Sequence, residues 1–227
     1  MPTELRRRDV KALIQQGRAQ LVDVLPAREY KREHLPKAIN IPVGGLNPET
    51  AQRLRKDQAI IVYCADYKCD FSARAAWRLE SMGFQEVYRY TAGKADWLAA
   101  GFDTEGHDAT KPRLKQVLKR SILTCAPKDR LGTVKNRRPR PTDVCVVLND
   151  RGIVLGVIEG EAWDRDPLKT AAEVMNPAPR TFRPDSDPTE VMKDLRKEDL
   201  DHALVTTSDG ELVGFVQRRE KKAKRAA

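Results

Sequence analysis

Nowhere does the 227-residue chain string together the roughly 18 apolar side chains that a membrane-crossing helix needs. Its first residues, MPTELRRRDVKALIQQ, are basic but lack an apolar core and a small-residue cleavage site, so no secretory leader is read there. The default expectation is a cytoplasmic chain. Aromatic residues make up only 6% and do not interleave with the bases, which argues against a stacking platform for single strands and a specific nucleic-acid partner. The four cysteines, Cys64, Cys69, Cys125 and Cys145, show no paired CxxC spacing, so neither a zinc site nor a disulfide framework is indicated. No metal and no cofactor are expected. Cys145, inside DVCVVL, reads as a small buried hydrophobe.

Charge is present but concentrated. Residues 1–103 carry 17 Lys/Arg and 13 Asp/Glu, and residues 104–217 carry 19 of each. The last ten, RREKKAKRAA, hold six bases and one acid, so more than half of the net +9 belongs to a tail read as solvated. With 40% hydrophobic and 33% charged residues, the chain has apolar material for two cores and argues against global disorder.

The N-terminal half alternates two periodicities. Leu5, Val10, Leu13 and Ile14 predict a helix over 4–17 that closes at Gly17. Short apolar runs at Gln20–Val24, Ala38–Ile41, Ala59–Tyr63 and Glu86–Tyr90 predict strands. Helices are predicted over Ser72–Met82, capped by Gly83, and over Lys94–Ala100 before Gly101. Such alternation builds a mostly parallel sheet with helices on both faces, and ligands then sit beyond the strands' carboxyl ends. Cys64 stands immediately after the most apolar strand, AIIVY, at such an address. Residues 104–116 read as a polar linker, and His107 within it as an exposed residue.

The C-terminal half repeats itself. Thr124, Pro127 and Val134 recur 57 residues later as Thr181, Pro184 and Val191, and DVCVVLNDRGIVLGVI (143–158) recurs 58 residues later as DHALVTTSDGELVGFV (201–216). Each copy reads as strand, turn and strand, and one duplication at this period suggests two packed copies related by a pseudo-twofold axis.

The first half resembles a rhodanese domain over 1–103. The resemblance rests on Asp23 in LVDV, on Tyr30, His34, Leu35, Pro36 and Ala38 of YKREHLPKAINIP, and on Cys64 after IIVY. Ser72, Ala75, Ala76 and Leu79 match the helix after the loop, and Gly83, Phe84, Val87, Tyr90, Gly93 and Trp97 match the closing segment. It implies a rhodanese-type sulfurtransferase whose Cys64 thiolate takes sulfane sulfur from a donor such as thiosulfate and passes it to a thiol or cyanide. That chemistry calls for a lowered thiol pKa. Backbone N–H groups of Ala65–Phe71 and the helix opening at Ser72 are expected to cradle the sulfur. Ala65, Asp66, Tyr67, Lys68, Asp70, Phe71, Ser72 and Arg74 form the expected substrate loop. Two departures stand out: seven residues separate Cys64 from Ser72 where the family has five, and Phe71 replaces the usual Arg. Lys68 is then the loop's one cation, either holding the donor or solvated, and Cys69 is a candidate resolving thiol. The enlarged loop is similar to that of phosphatases of this architecture, but Asp70 stands where their phosphate-clamping Arg belongs. His34 reads as structural.

The repeated half resembles a cystathionine-β-synthase-type (CBS) domain pair over 117–222, with copies at about 117–166 and 171–222, followed by a basic tail at 223–227. The resemblance rests on Thr-x-x-Pro at Thr124–Pro127 and Thr181–Pro184, on VMNP at 174–177, and on the paired strands. It implies an α+β fold, a homodimer and a regulatory or dimerising role, with adenosine nucleotides as ligands of such pairs. The ribose-holding positions are Glu159 and Ala162 in the first copy and Gln217 and Glu220 in the second, and only Glu220 keeps the carboxylate. The alternative to catalysis is a rhodanese-like scaffold whose repeated half senses a nucleotide or mediates self-association.

Overall fold

AIIVY carries no charged residue, and it forms the middle of the first sheet with all five side chains buried. The computed structural model of the protein describes residues 2–137 and 144–218. They fall into two compact units that divide between Lys111 and Pro112.

In the first unit the strands β1 (Thr3–Glu4), β2 (Ala19–Asp23), β3 (Ile39–Asn40), β4 (Ala59–Tyr63) and β5 (Val87–Tyr90) run parallel in the order β1-β5-β4-β2-β3. A parallel sheet hides both faces, and β4 divides its side chains accordingly. Ile60 and Val62 pack with Ala75, Ala76 and Leu79 of α4 (Phe71–Ser81). Ile61 and Tyr63 pack with Val10 of α1 (Arg7–Gln15) and with Trp97 of a later helix, Gly93–Ala99. Two short helices lie between β2 and β4, α2 (Ala27–Arg32) and α3 (Pro48–Ala51); Gly93–Ala99 is α5. The Arg7 guanidinium pairs with the Asp96 carboxylate and ties α1 to α5.

Three expectations change in this unit. The first helix starts at Arg7, not residue 4, because Thr3 and Glu4 extend to pair with Tyr88 and Arg89 at the sheet edge. The helix α2 had no apolar periodicity to announce it. The stretch 104–116 is no free linker: Thr104 donates to Glu33, Glu105 and His34 exchange backbone hydrogen bonds of 2.9 Å, and Leu114 is fully buried in the second unit.

The second unit is built twice. β6 (Leu123–Cys125), α6 (Leu131–Asn136), β7 (Cys145–Leu148) and β8 (Val154–Ile158) form one copy; after α7 (Ala171–Val174), β9 (Thr181–Phe182), α8 (Pro188–Lys197), β10 (His202–Thr206) and β11 (Leu212–Gln217) form the other. Each sheet joins a parallel strand to an antiparallel hairpin, and the pairing shifts at Val147/Leu148 in one and at Val205/Thr206 in the other, 58 residues on. The copies exchange segments. Lys119, ahead of the first copy, pairs with Phe215 of the second, and Asn176, ahead of the second, pairs with Val157 of the first. Gly156 and Gly214 are glycines for this reason: a Cβ there would sit 2.5 Å from the Asn176 carbonyl oxygen and 2.8 Å from that of Lys119. This is an α/β domain with a parallel sheet, followed by paired α+β copies. Glu220 and the tail at 223–227 lie outside the described residues.

Candidate functional site

Cys64 follows β4 directly, so its position is fixed by the best-buried strand of the first unit. The helix α4 opens at Phe71 and aims its first turn at the sulfur: the Ser72 hydroxyl lies 3.4 Å from Cys64 Sγ, and the Ser72 backbone N–H also hydrogen-bonds it. Ser72 is fully buried. A second helix start holds the cysteine's backbone. Lys94 N–H donates to the Cys64 carbonyl at 3.0 Å and Ala95 N–H to the Ala65 carbonyl at 2.9 Å. Gly93 makes that approach feasible, since it has φ +61° and a Cβ there would come within 2.5 Å of the Cys64 oxygen.

The expected cradle is only half present. The helix start reaches the sulfur, but at the far side the loop turns a carbonyl toward it: the Cys64 thiol donates to the Cys69 carbonyl oxygen at 3.2 Å. Burial, and the hydrogen bond with the Cys69 side chain, push the Cys64 thiol up to about 11, against the smaller lowering influence of Ser72. The lowered pKa expected from the sequence is therefore corrected. The physical reason is desolvation in a pocket where one wall is a hydrogen-bond acceptor. Cys64 is fully buried, while Tyr67 on the same loop is 75% exposed.

The remaining loop residues point elsewhere. Asp66 Oδ1 accepts the Lys68 backbone N–H at 2.8 Å, a local turn that serves the loop itself. Phe71 packs partly against the core, taking up the apolar side of the enlarged loop. Arg74 lies on the exposed face of α4, 3.9 Å from Asp70 and over the Phe71 ring, not at the sulfur. Cys69 is partly buried against the same core cluster as Cys64, and both cysteines are free thiols.

His34 is held by neighbours: it stacks on Tyr30 at 3.7 Å, Nδ1 meets the Tyr30 carbonyl at 2.7 Å, and Nε2 lies 3.3 Å from Glu105. Two buried polar side chains stand at the ends of β2 and β4, opposite each other across the sheet register. Asp23, at the end of β2, is fully buried; Oδ1 accepts the Leu25 N–H at 2.8 Å, while Oδ2 has no hydrogen-bond partner. Burial raises its pKa despite the help of Leu25, Tyr63 and Lys94. Tyr63, next to Cys64, accepts the Leu35 N–H at 3.0 Å.

In the second unit, Glu159 and Gln217, two of the four positions expected to hold a ribose, are engaged by the protein itself. Glu159 lies 3.2 Å from His202 of the other copy, which holds its carboxyl below the usual glutamate range. At the equivalent place, Lys119 Nζ donates to Gln217 at 2.8 Å.

The comparisons agree with these two architectures. The rhodanese-like domain model matches residues 7–100 and the CBS domain model residues 171–220. The HTH-type transcriptional regulator Rv0324 of Mycobacterium tuberculosis is 36% identical over 101 residues, 44% of this chain and 41% of that protein. The uncharacterized protein YqhL of Bacillus subtilis is 32% identical over 80 residues, 35% of this chain and 61% of that protein. The chain thus spans 41% and 61% of the lengths of these two relatives. The crystal structure of the BH2092 protein from Bacillus halodurans matches with 32% identity and a TM-score of 0.45, over 47% of this chain and 78% of that one. On the matched models, the chain carries a rhodanese-like domain followed by a CBS domain.

Proposed function

We propose that the first unit is a sulfurtransferase that carries sulfane sulfur as a persulfide on Cys64. The observation that supports this most is the seat of Cys64 Sγ, at the end of β4 and under the N–H and O–H of Ser72. The thiolate attacks the outer sulfur of a donor such as thiosulfate; the donor's S–S bond breaks and sulfite leaves with the electron pair. Cyanide or a thiol then takes the outer sulfur, and the Cys64 thiolate is regenerated. An N–H and an O–H at a helix start favour the negative sulfur at both stages. The Cys69 carbonyl opposes it, so turnover requires the segment from Ala65 to Phe71 to turn that carbonyl away. Cys69, five residues on, is the candidate resolving thiol: its thiolate attacks the Cys64 sulfur of the persulfide, the loop disulfide forms as the persulfide S–S bond breaks, and hydrosulfide leaves with the outer sulfur. Lys68 is the candidate cation for an anionic donor.

The test is thiocyanate formation from thiosulfate and cyanide by wild type, Cys64→Ala and Cys69→Ala. Loss with Cys64→Ala alone supports transfer through one cysteine, and hydrosulfide release that disappears in Cys69→Ala supports the resolving role. Product formation unchanged by Cys64→Ala overturns the reading.

A second reading is a rhodanese-like scaffold without turnover. The protonated state of Cys64 near neutral pH favours it, as does the likeness to a protein named as an HTH-type transcriptional regulator. For the repeated half, the engagement of Glu159 by His202 and of Gln217 by Lys119 favours a structural or homodimerising pair over an adenosine-nucleotide sensor. Thermal melting with millimolar AMP, ADP or ATP decides between them, because a ligand of the native state raises the midpoint.

A further inference from the structure

Among the described residues, three buried side-chain polar atoms have no hydrogen-bond partner: Asp23 Oδ2, Arg89 Nε and Thr91 Oγ1. A buried polar group without a partner forfeits the bonds it made to water, so each calls for a reason. Their places on the first sheet differ. Val62, Cys64 and Val87 belong to the core on one face, and Tyr63 and Tyr90 to the core on the other. Alternation along the strands then sorts the three residues. Asp23 is in register with Tyr63 and lies on the face away from Cys64. Arg89 is in register with Val62, one pair further into the sheet than Cys64, and its guanidinium pairs with Glu4 at the sheet edge.

Thr91 is the one level with the sulfur. Tyr63 and Tyr90 are in register, and Cys64 and Thr91 are the next residues along the two strands. Thr91 therefore stands beside Cys64 on the same face, at the spacing of neighbouring strands, about 4.8 Å. Both residues sit at the carboxyl end of the parallel strands, where such sheets receive ligands. Contacts on either side fix the turn: the Tyr90 hydroxyl donates to Asp96 at 2.6 Å, and Lys94 N–H donates to the Cys64 carbonyl at 3.0 Å. The thiol leaves the Thr91 hydroxyl unused, since Sγ is met by the Ser72 hydroxyl at 3.4 Å and by the Cys69 carbonyl at 3.2 Å. A persulfide adds one sulfur about 2 Å beyond Sγ, and that outer atom carries the negative charge.

We propose that Thr91 is a catalytic residue of sulfur transfer, its hydroxyl donating a hydrogen bond to the outer sulfur of the Cys64 persulfide. The assignment rests on Cys64 being the sulfur carrier. In the loading step the Cys64 thiolate bonds to the outer sulfur of thiosulfate, the donor's S–S bond breaks, and sulfite leaves with the electron pair. Cys64–S–S⁻ remains, and Thr91 keeps its own proton throughout. The hydroxyl is unpaired in the thiol form and paired in the loaded form. A donor that meets only the loaded form shifts the loading equilibrium toward it, and bonds to charged acceptors are the stronger kind.

The full chain is equilibrated with fixed mixtures of thiosulfate and sulfite, quenched with acid, and its Cys64 peptide is scored by mass spectrometry for one added sulfur. Thr91→Val keeps the branched shape and drops the hydroxyl. It should lower the ratio of loaded to unloaded Cys64 about fivefold, the worth of one hydrogen bond, and Thr91→Ser should restore most of it. Alkylation of unloaded Cys64 by iodoacetamide should keep its rate in both variants. The urea midpoint of Thr91→Val should match or exceed that of wild type, because a buried hydroxyl without a partner is removed. Equal loading of wild type and Thr91→Val overturns the proposal and leaves Cys64 as the carrier. A fall in loading matched by slower alkylation or by lost stability also overturns it, since Thr91 then supports the loop and not the outer sulfur. Wild type that takes up no sulfur on Cys64 overturns the carrier reading, and the role of Thr91 with it.

Discussion

The Cys64 thiol and the Cys69 carbonyl oxygen lie 3.2 Å apart, so the loop that frames the sulfur also accepts its proton in a hydrogen bond. With burial first and the Cys69 side chain second raising it to about 11, the thiol is ionised in only about one molecule in ten thousand at pH 7. The rate of Cys64 alkylation by iodoacetamide should therefore climb about tenfold per pH unit from pH 7 to 10 and level off above 11. Peptide-resolved alkylation measures it, and a plateau below pH 9 contradicts the geometry.

Ser72 works in the opposite direction to Cys69. Ser72→Ala keeps the backbone N–H at the sulfur but removes the O–H, which lies 3.4 Å away. One such hydrogen bond is worth about 1 kcal/mol, so alkylation of Cys64 at pH 8 should slow about fivefold. The same change should lower thiocyanate production in proportion.

Gly93→Ala puts a methyl group against the Cys64 and Ala65 carbonyls in a backbone conformation that L-residues avoid. The combined strain should cost more than about 2 kcal/mol. Urea unfolding followed by tryptophan fluorescence reads the loss. Alanine at Gly44, which has open space around its Cβ position, is the control and should be close to neutral.

Asp23 gives a pH dependence of opposite sign to that of a carboxylate whose pKa is lowered by an ion pair. Its folded pKa is raised above 3.8 by burial, so the native state holds a proton more tightly than the unfolded chain does. Stability contributed by that proton is complete below pH 3.8 and is lost as pH rises through the elevated folded value. Asp23→Asn retains an acceptor for the Leu25 N–H and should remove this decline from the urea-derived stability as pH rises above 3.8, measured against wild type.

The pair formed by Glu159 and His202 is partly exposed, so Glu159→Gln should cost under about 1 kcal/mol. If the engaged ribose positions account for the repeated half, neither wild type nor this variant should gain thermal stability from millimolar adenosine nucleotides. A rise of several degrees with wild type would return the nucleotide reading.

Legibility in the sequence followed the strength of the local signal. Ala59–Tyr63 was readable to the residue because a strand buried on both faces needs an unbroken apolar run, and the 58-residue repeat fixed the paired copies because it repeats turns as well as strands. The helix α2, AREYKR, was invisible because none of its residues is buried, so it carries no apolar stripe to read. At the site, spacing put Cys64 at a strand end and Ser72 at a helix start, and both are found there. The sense of the thiol's pKa shift was out of reach, since it depends chiefly on how deeply the folded loop buries the sulfur and on where it sets the Cys69 side chain. No residue type between Ala65 and Phe71 determines that. Gly93 was noted only as a matching position; its left-handed backbone and its contact with Cys64 come from packing between β4 and α5.

Because Lys119 completes the sheet of the second copy and Asn176 that of the first, neither half of the duplication closes its own hydrogen-bond ladder. Cutting the chain between the copies, near residues 167–170, would leave Val157 and Phe215 each facing an unpaired edge that only the other fragment can cover. Two such fragments made separately would be insoluble alone and would recombine when mixed. The duplication is thus held together by mutual lending of strands, and a change that lengthens or shortens the stretch ahead of either copy is felt first in its twin.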